Sequence, residues 1–405
     1  MLGALILVGG QLAAQVPLPV PSLSISAAVA RVREASPRKR AAVLLADAAR
    51  EAARSAGRPA NPFIDVRTEN WGAPATTGVD LFAEVTQPLE IGGKRRLRQQ
   101  VASAESAVAS TASLALERTL ALDTVRAYVR ALRARALVDT LTGNRDGLGL
   151  LVASTSKQVE DGYTAEADLL KFKTEAARID GDIARARFEL ERSLSELGVL
   201  IGADTQIEPR QLLEPQPLPV PSPDPAQVAS SVAQHPDVVM GNAGVDRARF
   251  ALAYERARGL PDPAITAGYK RTAGFDTAVV GVSMAVPLFD RNRAAAARAA
   301  GLERGAAADR DALVRRLTAD TSSLLRAART LAEQAAKAEA ELLAPAEGVR
   351  RAALAAFREG TADVLKLIDA ERVYADVHRA AIDLRLDALV TTIEARFALG
   401  EESLP

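Results

Sequence analysis

Apolar residues in this chain follow two rhythms. In the first, Ala176, Ile179, Ile183, Ala186, Leu190, Leu194, Leu197 and Ile201 step by threes and fours. That spacing predicts a helix burying one face in a coiled-coil-like seam. The second rhythm is alternation. Val79, Leu81, Ala83 and Val85 alternate with Asp80, Phe82 and Glu84, and Ala278 to Val286 repeats the pattern. Ile64, Val66 and Thr68 alternate with Asp65, Arg67 and Glu69, and Ile265, Ala267 and Tyr269 with Thr266, Gly268 and Lys270. Period two with one apolar and one polar or small face predicts four strands. The connections, 70–78 and 272–276, are hairpin-sized, and Trp71 at a strand end suits a membrane interface.

The elements recur with a shift of about 200 residues, the mark of an internal duplication. Pro17-Leu-Pro-Val-Pro-Ser22 returns as Pro217-Leu-Pro-Val-Pro-Ser222, Asn61-Pro62 as Asp262-Pro263, and Gln87-Pro88-Leu89 as Val286-Pro287-Leu288. Gly162 likewise returns as Gly360. Residues 15–213 form the first unit, with its hairpin at 61–88, and 226–405 the second, with its hairpin at 262–288. Between them, 214–225 carries proline at every second position from Pro215 to Pro225, a semi-rigid polyproline strap. Each unit reads helix, strand, strand, long helix, helix. The first helices begin near Pro37 and Pro236 and end near Gly57 and Gly259. His235 then sits at a helix cap. The long helices cover Lys94 to about Glu160, and Arg291 to about Glu359. At about 1.5 Å per residue each reaches roughly 100 Å. The last helices, Glu166 to Ile201 and Asp363 to Leu399, return along them.

Composition narrows the function. Alanine supplies about a fifth of the 405 residues, as in long helices. Lys and Arg (51) balance Asp and Glu (51), which removes the electrostatic case for nucleic acid. With no Cys and two distant His, thiolate and imidazole metal sites are excluded. No Ser/His/Asp set, paired-carboxylate cleft or nucleotide loop stands out, so neither enzyme activity nor a cofactor is expected. Met1 to Gly10 is apolar but too short to span a bilayer, and followed by small residues it reads as a signal peptide over 1–14. No later stretch is apolar enough for a membrane helix. Any insertion must use strands, each about long enough to cross a bilayer when tilted. Four strands cannot close a barrel, and an open edge in lipid leaves backbone groups unsatisfied. Several identical chains must therefore complete the cylinder.

Alanine-rich helices duplicated around two hairpins, with Gln87-Pro-Leu-Glu-Ile-Gly-Gly-Lys-Arg-Arg96 after one and Val286-Pro-Leu-Phe-Asp-Arg-Asn-Arg293 after the other, resemble the TolC-like outer-membrane efflux proteins. The first motif is most similar to the heavy-metal (CzcC-like) branch. The resemblance implies a mainly α fold with a membrane β-barrel part, in which each chain of a homotrimer gives four strands to one shared barrel. The helices would form a periplasmic α-barrel tunnel. The partners implied are a periplasmic adaptor, an inner-membrane RND pump and outer-membrane lipid. The function implied is a passive exit duct for heavy-metal cations. The same duct for drugs, and a non-channel periplasmic coiled-coil scaffold, stay open as alternatives.

Gly162 and Gly360 end the long helices, where glycine suits a tight reversal. The resemblance makes Gly162, Tyr163, Thr164, Arg358, Gly360 and Thr361 the periplasmic tips that meet the adaptor. Six and nine residues past the tip glycines stand Asp168 and Lys171, and Lys366 and Asp369. The family can ring its tunnel entrance with carboxylates at these spacings in the second unit. Asp369 fits, whereas Lys366 reverses the charge, so Lys366 and Asp369 read either as part of a gate or as an i,i+3 surface pair. Gly147 and Pro345 each lie 15 residues before a tip glycine, and proline inside a helix predicts a bend there, fixed or hinged. Lys94-Arg95-Arg96 and Arg291-Asn-Arg293 either meet lipid head groups or set the helix register.

Overall fold

A computed structural model describes residues 22–70, 79–203 and 206–405. The expected leader, the first proline motif up to Pro21, and Trp71 with the connection through 78 lie outside the described residues. Chain order is α1 (Ile25–Ala35), α2 (Pro37–Ala56), β1 (Phe63–Glu69), β2 (Asp80–Pro88), α3 (Lys94–Glu160) and α4 (Glu166–Ile201). Then come α5 (Pro225–Ala233), α6 (Pro236–Arg258), β3 (Pro263–Thr272), β4 (Phe275–Met284), α7 (Arg293–Lys337), α8 (Ala344–Arg358) and α9 (Val364–Ala398). Among the described residues, no helix is long and apolar enough to cross a membrane.

In each half the shorter helices stack end to end along the long one. Arg98 near the start of α3 donates to the Ala56 carbonyl at the end of α2, and Lys39 at the start of α2 pairs with Glu117 at 2.9 Å. Farther along α3, Arg145 pairs with Asp180 of α4 at 2.7 Å. The α4 stripe read from sequence is the buried one, Ala176 through Ile201. One apolar cluster, where α1, α3, α4 and α9 meet, holds Val29, Tyr128, Leu197 and Phe397, each no more than 1% exposed. A second, built on Phe172, Ile183 and Leu367, lies toward the reversals.

The structure differs from the sequence expectation at three places. It adds α1 and α5 ahead of the proline-started helices. In α1 the stripe Ile25, Ala28, Val29, Val32 is buried, with Ser24 capping the Ala27 amide at 3.1 Å. Asp224 and Gln227 form a reciprocal capping box on α5, so the strap ends in a helix at Pro225. Finally, the second long helix is not continuous. Residues 338–343 form a π-helical turn directly before Pro345. Proline supplies no amide for the fourth carbonyl back and its ring crowds that carbonyl, and a wider turn relieves both. Gly147, by contrast, lies within uninterrupted α3.

The strands form one antiparallel sheet in the order β1-β2-β3-β4, so the two hairpins join through β2 and β3. Among the described residues, the outer edges of β1 and β4 have no strand partner.

Candidate functional site

Residues paired directly across an antiparallel ladder share a face. The row Ile64–Val85–Ala267–Val280 is apolar, and Val66–Ala83–Tyr269–Ala278 and Gln87–Ile265–Val282 lie on the same side. Ile64 (67%), Val66, Val280 (80%) and Val282 (74%) are bare. In a water-facing sheet such a face would be covered; here it has the character of a surface that meets lipid.

The opposite face is polar. Its row Arg67–Phe82–Lys270 sets an aromatic ring between two cations, the Arg67 guanidinium 4.7 Å and the Lys270 ammonium 5.0 Å from the ring centre. Beside it Asp80 accepts from the Asn70 amide and the Ala273 N–H, each at 3.1 Å. Thr86 and Thr266 hydrogen-bond at 2.9 Å. Glu84 faces Gly268, where a side chain would strike the Ala83 carbonyl at 2.5 Å, so glycine is required for the strands to close.

The sheet joins the helices at a compact junction. Gly92 and Gly93 have φ of +69° and +72°. Lys94 is buried, donating to the Leu260 carbonyl at 2.7 Å and pairing with Asp262 at 2.8 Å. It sets the register of α3, whereas Arg95 and Arg96 are exposed. His235 caps α6 by accepting from the Asp237 amide at 3.2 Å, and burial lowers its pKa.

At the far end the two reversals lie together. Phe172, ten residues past Gly162, packs edge-on against Phe357, three before Gly360, with ring centres 5.5 Å apart. Gly162 (φ +77°) and Gly360 (φ +73°) each turn the chain. The Tyr163 amide returns to the Gln158 carbonyl at 2.8 Å, and the Thr361 amide to that of Ala356 at 2.9 Å. The Thr164 hydroxyl donates to the Gln158 side chain at 3.2 Å, and the Thr361 hydroxyl to the Ala356 carbonyl at 3.1 Å. Tyr163 is 85% exposed, and Arg358 projects into solvent.

Asp168 and Lys171 pair at 2.9 Å. Lys366 gives its backbone amide to the Asp363 cap at 2.9 Å, and it makes no ion pair with Asp369 among the described residues. The strongest electrostatic feature near this end was missed from sequence. Glu175 of α4 is buried and takes Arg178 of its own helix at 2.7 Å and Arg372 of α9 at 3.0 Å. The Arg372 hydrogen bond, aided by Arg178, holds its carboxyl down at about 2. No sequence signal gave that contact, because its partners are 197 residues apart. Between α3, α4 and α9, Glu175, Arg372, Glu371 and Asp182 line a cavity of about 320 Å³. Among the described residues, no group of His, Asp and Glu could hold a metal ion.

Residues 228–401 match the Outer membrane efflux protein family. The cobalt-zinc-cadmium resistance protein CzcC of Cupriavidus metallidurans is 27% identical over 319 residues, 77% of this chain and 74% of that protein. The nickel and cobalt resistance protein CnrC of the same organism is 29% identical over 238 residues, 58% of this chain and 56% of that one. Among solved structures, CusC superposes with a TM-score of 0.77 at 17% identity, covering 93% of this chain and 91% of that one. The outer membrane protein VceC from Vibrio cholerae reaches 0.78 at 18%, covering 93% and 96%.

Proposed function

Because the chain belongs to the TolC-like outer membrane efflux proteins, we propose that it is the outer-membrane exit duct of a tripartite pump expelling heavy-metal cations. It lies in the outer membrane, with its helices extending into the periplasm. One observation carries the reading: a two-faced sheet of four strands, apolar on one side and charged on the other, with no strand on either outer edge among the described residues. Lipid tolerates such edges only if further strands cover them, so other copies of the chain must complete the cylinder, and the family resemblance makes the number three, with twelve strands in all. A wide wet duct needs no metal ligands, since selectivity resides in the pump, and in this reading the chain catalyses nothing. The metal assignment draws on the resemblance to CzcC and CnrC.

The same reading makes the two halves an ancient duplication, 15–213 and 226–405, joined by the strap 214–225. It places adaptor contact at Gly162, Tyr163, Thr164, Arg358, Gly360 and Thr361. Gating falls to Asp168, Lys171, Lys366 and Asp369 with the Glu175–Arg372 contact behind them, and bending to Pro345 with its π turn, while Gly147 keeps its helix unbroken.

The test uses a host lacking its own duct but carrying the adaptor and pump. Cobalt, zinc and cadmium tolerance should return with this chain, and dye tolerance should not. Gly360→Trp has open space around its added Cβ, with strain confined to the turn's own φ of +73°, and should abolish tolerance while leaving a heat-modifiable trimer. Unchanged tolerance in that variant would remove the tips from the docking surface. Restored dye tolerance without metal tolerance would reassign the substrate.

A further inference from the structure

Exposed apolar residues do not stop where β4 stops. Val280, Val282, Met284, Val286 and Leu288 stand at every second position, and all are more than half exposed. Only the first three belong to the strand, which ends at Met284. Phe289 follows, fully bare at 101%, and the character then changes at once to Arg291 and Arg293. This foot of the sheet is stitched to neighbouring segments. Asn292 donates to the Glu255 carbonyl at 2.8 Å, and Lys94 reaches Leu260 and Asp262.

The charges here are paired unevenly. Glu90 is taken by Arg98, Asp262 by Lys94, Glu255 by Arg258 and Asn292, and Asp290 by the Asn292 amide at 2.8 Å. Every carboxylate of the rim is thus occupied. Arg95, Arg96, Arg291 and Arg293 are exposed, and no carboxylate of the described residues lies within 4.0 Å of them. Arg291 makes one long contact, to the Pro287 carbonyl at 3.4 Å.

We propose, resting on the membrane reading above, that this rim binds the phosphate of anionic phospholipid in the periplasmic leaflet, with Leu288 and Phe289 entering the acyl region beneath it. Guanidinium forks match phosphate oxygens in pairs. A run of exposed apolar residues leading into an aromatic and then into unpaired cations is the order a chain meets when it leaves hydrocarbon through head groups. An amphiphile with an anionic head fits both halves of the surface, which a soluble anion or an apolar protein face does not.

The test uses the full chain in nanodiscs. The chain has one tryptophan, so Trp71→Phe combined with Phe289→Trp gives a single probe at the rim, and Trp71→Phe with Val282→Trp a control within the sheet. Lipids brominated near the ester end should quench the Phe289→Trp probe at least about twofold more than lipids brominated deep in the tail. Native mass spectrometry should show phosphatidylglycerol retained in preference to phosphatidylcholine. Arg291→Gln with Arg293→Gln should lower that preference by about tenfold, at a few-fold per basic residue near an anionic surface. Inorganic phosphate in the millimolar range should not displace the lipid. An unquenched Phe289→Trp probe beside a quenched Val282→Trp control would overturn this inference alone, and quenching of neither would overturn the membrane reading. Equal retention of both lipids, or displacement by free phosphate, would also refute a phospholipid site.

Discussion

Arg372 of α9 donates its Nε–H to the Glu175 carboxylate of α4 at 3.0 Å, joining the two halves of the chain close to both reversals. With Arg178 at 2.7 Å the buried carboxylate has a cation on each side. A carboxyl whose pKa is depressed on folding stabilises the native state above its ordinary value, near 4.5, and loses that contribution as pH falls toward about 2. Glu175→Gln should therefore cost about 2 kcal/mol near neutrality, with the deficit shrinking below about pH 4.5. Urea unfolding from pH 7 to pH 3 checks the sign, and a deficit that grows on acidification would contradict it.

At the middle of α3, Tyr128 fixes two straps at once. Its hydroxyl lies 2.6 Å from the Leu23 carbonyl and 2.8 Å from that of Leu213, where Leu23 and Leu212 form an isolated parallel bridge. Burial pushes its pKa up to about 12, so this contact is intact below the ordinary value near 10 and fails as pH rises through about 12. Tyr128→Phe leaves both carbonyls without that donor and should cost about 1–3 kcal/mol. Limited proteolysis should then cut residues 206–224 earlier than in the parent chain.

The contrast between these two contacts shows what the sequence could and could not reveal. The α4 seam, the four alternating strands and α3 from Lys94 to Glu160 were legible, because local periodicity and cap residues specify them. The helix α1 is equally readable, since Ile25, Ala28, Val29 and Val32 keep helical spacing, but Pro37 is the stronger helix-start signal and belongs to α2. The burial of Lys94 and the Glu175–Arg372 contact were not legible. Both depend on partners more than 150 residues away, and neither leaves a mark in local spacing.

Pro345 should matter through the turn before it. Pro345→Ala restores the missing amide and lets an ordinary α-helical ladder run through 338–343. Hydrogen exchange should show slower amides across 338–345, and tunnel conductance should change with them. Unchanged exchange would mean that the π turn has another cause.

Gly92→Ala tests the junction below the sheet. The added methyl would stand 2.6 Å from a Leu260 terminal carbon, at a backbone φ of +69° that side chains resist. The expected cost is about 1–3 kcal/mol, because strain and overpacking combine. Gly93→Ala, with open space around it, should cost only the backbone part, about 1 kcal/mol. Equal losses in the two variants, measured by thermal unfolding, would show that Leu260 yields freely.

The account stands on identical chains pairing β1 of one with β4 of the next. The chain has no cysteine, so an introduced pair is unambiguous. Asp65→Cys can be combined in turn with Thr277→Cys, Val279→Cys or Gly281→Cys, all on the polar face. Within one chain β1 and β4 are three strand spacings apart, about 14 Å, too far for a disulfide. Mild oxidation in membranes should give at least one pair that runs as a reducible covalent trimer on a denaturing gel. Monomer alone across all three pairs would contradict the shared barrel.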